Sequence, residues 1–189
     1  MKTVPDNMSA RESLEIITGM IEQAKGAMKR NSFHYLLWGW VIALANLGAF
    51  VLIQMRYPNP YFVWFITIPA FLTSMYYGYT HKKKDGMSTH FNRVTLWLWV
   101  SFAITILVFV IFANTIQYNL NPVIITLSAI PTLASGHILK YRPLILGGFC
   151  FWIFGVVDFL VSYEWQNLVG AAAVISGYLI PGYILKFKG

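Results

Sequence analysis

VTLWLWVSFAITILVFVIFANTI, residues 94–116, runs for 23 residues without a charged side chain. A helix rises about 1.5 Å per residue, and about 20 mostly apolar residues cross the hydrocarbon core of a bilayer. This stretch therefore reads as a membrane span. Five further apolar stretches of similar length flank it: residues 33–54 and 60–80 before it, and 122–139, 144–162 and 168–186 after it. The composition agrees. Of the 189 residues, 57% are hydrophobic and only 11% charged, whereas a soluble domain carries about 25% charged residues. Soluble enzyme, nucleic-acid binder and disordered tail are all poor readings. The expected fold is all-α: a polytopic membrane protein built as a bundle of six transmembrane helices over residues 33–189.

The first 32 residues differ from the rest. Ser9 and Glu12 have capping-box spacing, which starts a helix. Leu14, Ile17, Ile21, Ala24 and Met28 then recur at steps of three and four, while Arg11, Glu15, Glu22 and Lys29 fall opposite. The pattern predicts an amphipathic helix over residues 9–30, lying at the cytoplasmic interface or docking on a partner protein or a second copy of the chain. The segment lacks the apolar core run of a secretory signal peptide, so the first span is expected to act as an uncleaved anchor. The single cysteine, Cys150, excludes an internal disulfide and a multi-cysteine metal site.

Charge sets the expected orientation. Of the fourteen basic residues, thirteen fall on one side of the six-span arrangement, among them Lys82, Lys83, Lys84, Arg93, Lys140 and Arg142; only Arg56 falls on the other. By the positive-inside rule both termini are cytoplasmic. The net charge of +7 is then a topology signal and an attraction to anionic lipid, with those six residues as the lipid contacts, and not a nucleic-acid surface.

Three Ile-Pro pairs, at Pro69, Pro131 and Pro181, fall in alternate spans, and Trp40, Trp99 and Trp152 each precede by six residues a polar side chain: Asn46, Thr105 and Asp158. The spacing resembles three helical hairpins, and each proline removes a backbone hydrogen bond and kinks or bends its helix. Asp158 is the sole carboxylate inside a span. Intramembrane acids are costly and mark ion, proton or ligand sites by default. The plainer expectation is that Asp158 reaches the outer headgroups or pairs with Arg56. Asn46 is its expected buried partner if spans one and five are neighbours. His34, His81, His90 and His137 show no ligand spacing, so neither a metal nor a cofactor is expected. Ser135 and His137 lie two positions apart, on different helix faces, so they make no nucleophile–base pair.

The opening Glu12-Ser13-Leu14-Glu15-Ile16-Ile17, followed by Phe33-His34-Tyr35-Leu36-Leu37-Trp38-Gly39-Trp40, resembles small multi-span proteins of Bacteroidota that pair a polar N-terminal helix with a Tyr-Leu-Leu-Trp-Gly-Trp lead into the first span. The resemblance covers mainly residues 12–40. It implies a bacterial inner-membrane location and no known activity. The expected function is a non-enzymatic membrane module binding a partner, lipid or ligand. The alternative is a small transporter or channel with Asp158 as its polar site, and an intramembrane enzyme ranks last.

Overall fold

The structure is a computed structural model. It describes the backbone of residues 10–80, 88–113, 115 and 120–188, and the side chains within them apart from those of residues 10–31, 88–92 and 188. All of the regular structure described is helical.

Helix α1 spans Ala10–Gln54, 45 residues and about 67 Å at 1.5 Å per residue. It contains no proline, so nothing in its backbone chemistry forces a break between the segment expected to be amphipathic and the span expected at 33–54. The two form one continuous helix. The side chains of the amphipathic stripe lie outside the described residues. Arg56, with φ of 53°, ends the helix in the left-handed region. There the Tyr57 and Arg56 N–H groups donate to the Leu52 and Ile53 carbonyls, each at 2.9 Å, and satisfy the last turn.

A 3-10 segment, Pro60–Ile66, leads into α2, Thr67–Thr80. Pro69 is the third residue of α2, so it lies where the backbone changes from 3-10 to α and not at a mid-helix kink. Helix α3 spans Ser88–Ile111, α4 Leu120–Ile138 and α5 Arg142–Leu160. Lys140 closes α4 as Arg56 closes α1: its φ is 50°, and the Tyr141 N–H donates to the Gly136 carbonyl at 2.9 Å. Helix α6, Tyr163–Val174, passes through one π turn, Ile175–Leu179, into α7, Ile180–Lys188. Pro181 follows that turn. Its missing N–H would have served the carbonyl four residues back, so the wide turn accommodates the loss. Pro131 lies within α4, which stays helical across it.

The bundle is built around small residues. Ala43, Ala45, Ala49, Ala129, Ala171 and Ala173 are fully buried. Gly147 packs so closely on the π turn that a Cβ would lie 2.5 Å from the Gly177 carbonyl oxygen, and a Cβ at Gly39 would lie 2.6 Å from Leu179. Large apolar side chains face outward instead; Leu160 is 81% and Phe187 80% exposed. Small residues at the close helix contacts, with a few large ones such as Phe151 and Leu144 buried among them and many large apolar side chains outside, suit a lipid surround. Four helices are long and apolar enough to cross a membrane: Ser32–Gln54, Arg93–Ile111, Arg142–Leu160 and Tyr163–Phe187. Two expected spans do not meet that standard alone. Helix α2 has 14 residues, and α4 has the length, with 19, but carries a polar face.

Helices successive in the chain from α1 to α6 run antiparallel. Tyr35 packs on Tyr178, Phe33 stacks on Tyr77, and the Trp99 Nε1 donates to Ser135 Oγ at 3.2 Å. These contacts bring together the middle of α1, the end of α2, the middle of α3, the end of α4 and the π turn, and Arg93, Lys140, Arg142 and Lys186 are exposed toward that end. Arg56 is exposed at the other end, where Phe50 packs on Trp165 and the hydroxyls of Tyr61 and Tyr163 meet. The three proposed hairpins are not equivalent in this frame. No residue of the α3 span is buried, and Thr105 is exposed and bonded to its own helix at Ser101, whereas Asn46 and Asp158 are buried.

Candidate functional site

Four polar side chains from four helices meet at the Arg56 end, Asn46 of α1, Asn121 of α4, Asp158 of α5 and Gln166 of α6, and Asn167, next in sequence on α6, is buried. Helix α1 packs on α6, and α6 on α4 and α5. The condition on which the sequence pairs Asn46 with Asp158, that spans one and five are neighbours, is not met, and α6 and Asn121 lie between them.

Asp158 is 0% exposed, two residues before the end of α5. The expectation that it reaches headgroups or pairs with Arg56 is overturned: its side-chain partner among the described residues is Asn121, whose Nδ2 donates to Asp158 Oδ2 at 3.1 Å. The same Nδ2 donates to the Gln166 carbonyl at 2.7 Å, which uses both hydrogens of the amide. The Gln166 Nε2 lies 3.4 Å from the Asp158 carbonyl. Asn46, 1% exposed, donates its Nδ2 to the Ile42 carbonyl at 2.9 Å, one turn back on its own helix. Gly170 of α6 makes the approach possible: a Cβ there would lie 2.7 Å from Asn46 Oδ1, 2.8 Å from Asn121 Nδ2 and 3.2 Å from Asn121 Oδ1.

Among the described residues two buried acceptors are left over, Asp158 Oδ1 and Asn46 Oδ1, neither with a hydrogen-bond partner there. Each such atom costs about 1–3 kcal/mol, more when charged. Helices α4 and α6 both begin at this level, so the positive ends of two helix dipoles offset part of the carboxylate charge.

A second polar series runs from here toward the other end. Asn121, Ile125, Ser128, Thr132 and Ser135 lie at steps of three and four on α4, and the last four are buried. Thr132 Oγ1 donates to the Ser128 carbonyl at 2.6 Å and lies 3.3 Å from the hydroxyl of Tyr178, in the π turn. Tyr35 and Trp99 both reach Ser135. The series covers about 21 Å of helix, interrupted by Ile125.

Of the other sequence candidates, Arg93, Lys140 and Arg142 are exposed, and Lys82, Lys83 and Lys84 lie outside the described residues. His34 pairs with Ser74 at 3.0 Å and ties α1 to α2, while His137 is exposed. No three His, Cys, Asp or Glu side chains come together among the described residues. Asn121, Gln166 and Asn167 were not singled out from the sequence, because they fall just outside the apolar stretches. Their signal is only that each stands one or two positions before an apolar stretch, where polar residues ordinarily meet headgroups. No family model, curated protein or solved structure matches the chain.

Proposed function

We propose that the chain is a six-span protein of a bacterial inner membrane, with both termini cytoplasmic, that holds a small polar ligand inside its bundle and catalyses no reaction. The observation that carries this reading is the pair of buried, unmatched acceptors, Asp158 Oδ1 and Asn46 Oδ1, beside an amide whose donors are already used. A ligand bearing donors completes that set.

Two considerations support six spans over four. The 3-10 segment and α2 form one rod over residues 60–80, about 35 Å long at about 2.0 and 1.5 Å per residue, which matches a bilayer core. Helix α4 turns its polar face inward, so its hydroxyls need not meet lipid. The separation of Arg93, Lys140, Arg142 and Lys186 from Arg56 supports the orientation. Residues 9–30 offer the surface for a partner or a second copy, and the exposed basic residues contact anionic lipid.

Native mass spectrometry of protein released from lipid nanodiscs tests the reading. A small molecule retained at one per chain, and lost in Asp158→Asn, supports it. Bare chains from both variants would overturn it. The second reading, a small transporter, is favoured by the polar series on α4 alone; flux into proteoliposomes that stops on Ser128→Leu would promote it.

A further inference from the structure

We infer that the ligand of this site presents a primary ammonium group, an inference that rests on the ligand-binding reading above. The unmatched atoms are acceptors. Among the described residues Asp158 Oδ1 and Asn46 Oδ1 lack donors, and Asn46 Oδ1 and Asn121 Oδ1 both face Gly170, at 2.7 and 3.2 Å from where a Cβ there would lie. A primary ammonium carries three N–H donors and one positive charge. Among the described residues, no cationic side chain approaches Asp158: Arg56 is exposed, and the groups facing the carboxylate from α4 and α6 are the neutral Asn121 and Gln166. A buried carboxylate without a counter-charge is far costlier than a paired one. One ammonium supplies both the missing donors and the missing charge.

The geometry disfavours the other cations. A hard divalent ion takes six or more oxygens, and one carboxylate with two amide oxygens falls short. A quaternary ammonium has no N–H to give.

The same chemistry has two sources, a free amine or the headgroup of an aminophospholipid, because Asp158 lies near the end of α5. The test uses the full chain in nanodiscs of phosphatidylcholine and phosphatidylglycerol, which lack a primary amine, with radiolabelled methylammonium as the probe. Saturable binding is expected at one per chain, displaced by ammonium but not by tetramethylammonium. It should weaken at least tenfold in Asp158→Asn and in Asn46→Leu, with thermal melts reporting that both variants fold. If added phosphatidylethanolamine displaces the probe, the occupant is a lipid headgroup; if it does not, the occupant is a free amine, and either result supports the ammonium. Equal displacement by tetramethylammonium, or binding unchanged in both variants, would overturn the inference. So would absence of methylammonium binding while native mass spectrometry still finds a retained molecule that Asp158→Asn releases, and in that case the ligand-binding reading survives. Absence of both would remove the two together.

Discussion

Asp158→Asn and Asp158→Ala separate binding from folding. Asparagine keeps an acceptor for the Asn121 Nδ2, whereas alanine strands one of its hydrogens in a buried setting. Asp158→Ala is therefore expected to destabilise the bundle by about 1–3 kcal/mol relative to Asp158→Asn, read as a lower melting temperature in detergent. Gly170→Ala places a carbon 2.7 Å from Asn46 Oδ1 and 2.8 Å from Asn121 Nδ2. It is expected to cost about 1–3 kcal/mol in the same assay and to disturb the site from the α6 side. Lys140→Gly acts in the opposite direction. Lys140 holds φ of 50°, and glycine accepts that conformation without the Cβ clash, so the variant is expected to gain about 1 kcal/mol. At this scale the sequence was readable where a residue was chemically out of place. Asp158 and Asn46 stand out because polar groups inside apolar stretches are rare. Asn121, Gln166 and Asn167 do not, because polar groups at the ends of such stretches are ordinary, and only packing reveals that α4 and α6 turn theirs inward.

The elements show the same division. Apolar length located the helices after residue 32, yet it gave no sign that residues 60–66 wind as 3-10 or that α6 widens into a π turn. Both irregularities lie just before an Ile-Pro pair, and the third pair, Ile130-Pro131, leaves α4 helical. Proline removes a donor in all three, but the neighbouring backbone decides how the loss is absorbed. The close crossing of α5 over the π turn depends on Gly147, whose neighbour is a backbone oxygen that no rotamer change can move. Gly147→Ala should therefore cost more than Gly39→Ala, whose nearest neighbour is the end of the Leu179 side chain. Parallel melting curves of the two variants check the order.

At the scale of the molecule, among the described residues Arg93, Lys140, Arg142 and Lys186 lie exposed toward one end and Arg56 at the other. In a Cys150→Ala background, Arg56→Cys and Lys140→Cys are expected to react with an impermeant maleimide from opposite faces of sealed vesicles. Labelling from the same face would overturn the proposed orientation. The core four-helix arrangement of α1, α4, α5 and α6 with α2 and α3 at its margin follows from contacts that no hydropathy pattern encodes. The unbroken length of α1 has one more consequence. Asn46 sits within the bundle on the same rod that continues to Ala10, and the part preceding Ser32 is an arm of about 33 Å. Such a rod is a lever. A tilt of about 10° about Ser32 sweeps the far tip through about 6 Å and carries Asn46, about 21 Å beyond that pivot, through about 4 Å, so a displacement beside Asn46 reaches the other end of the rod enlarged about 1.6-fold.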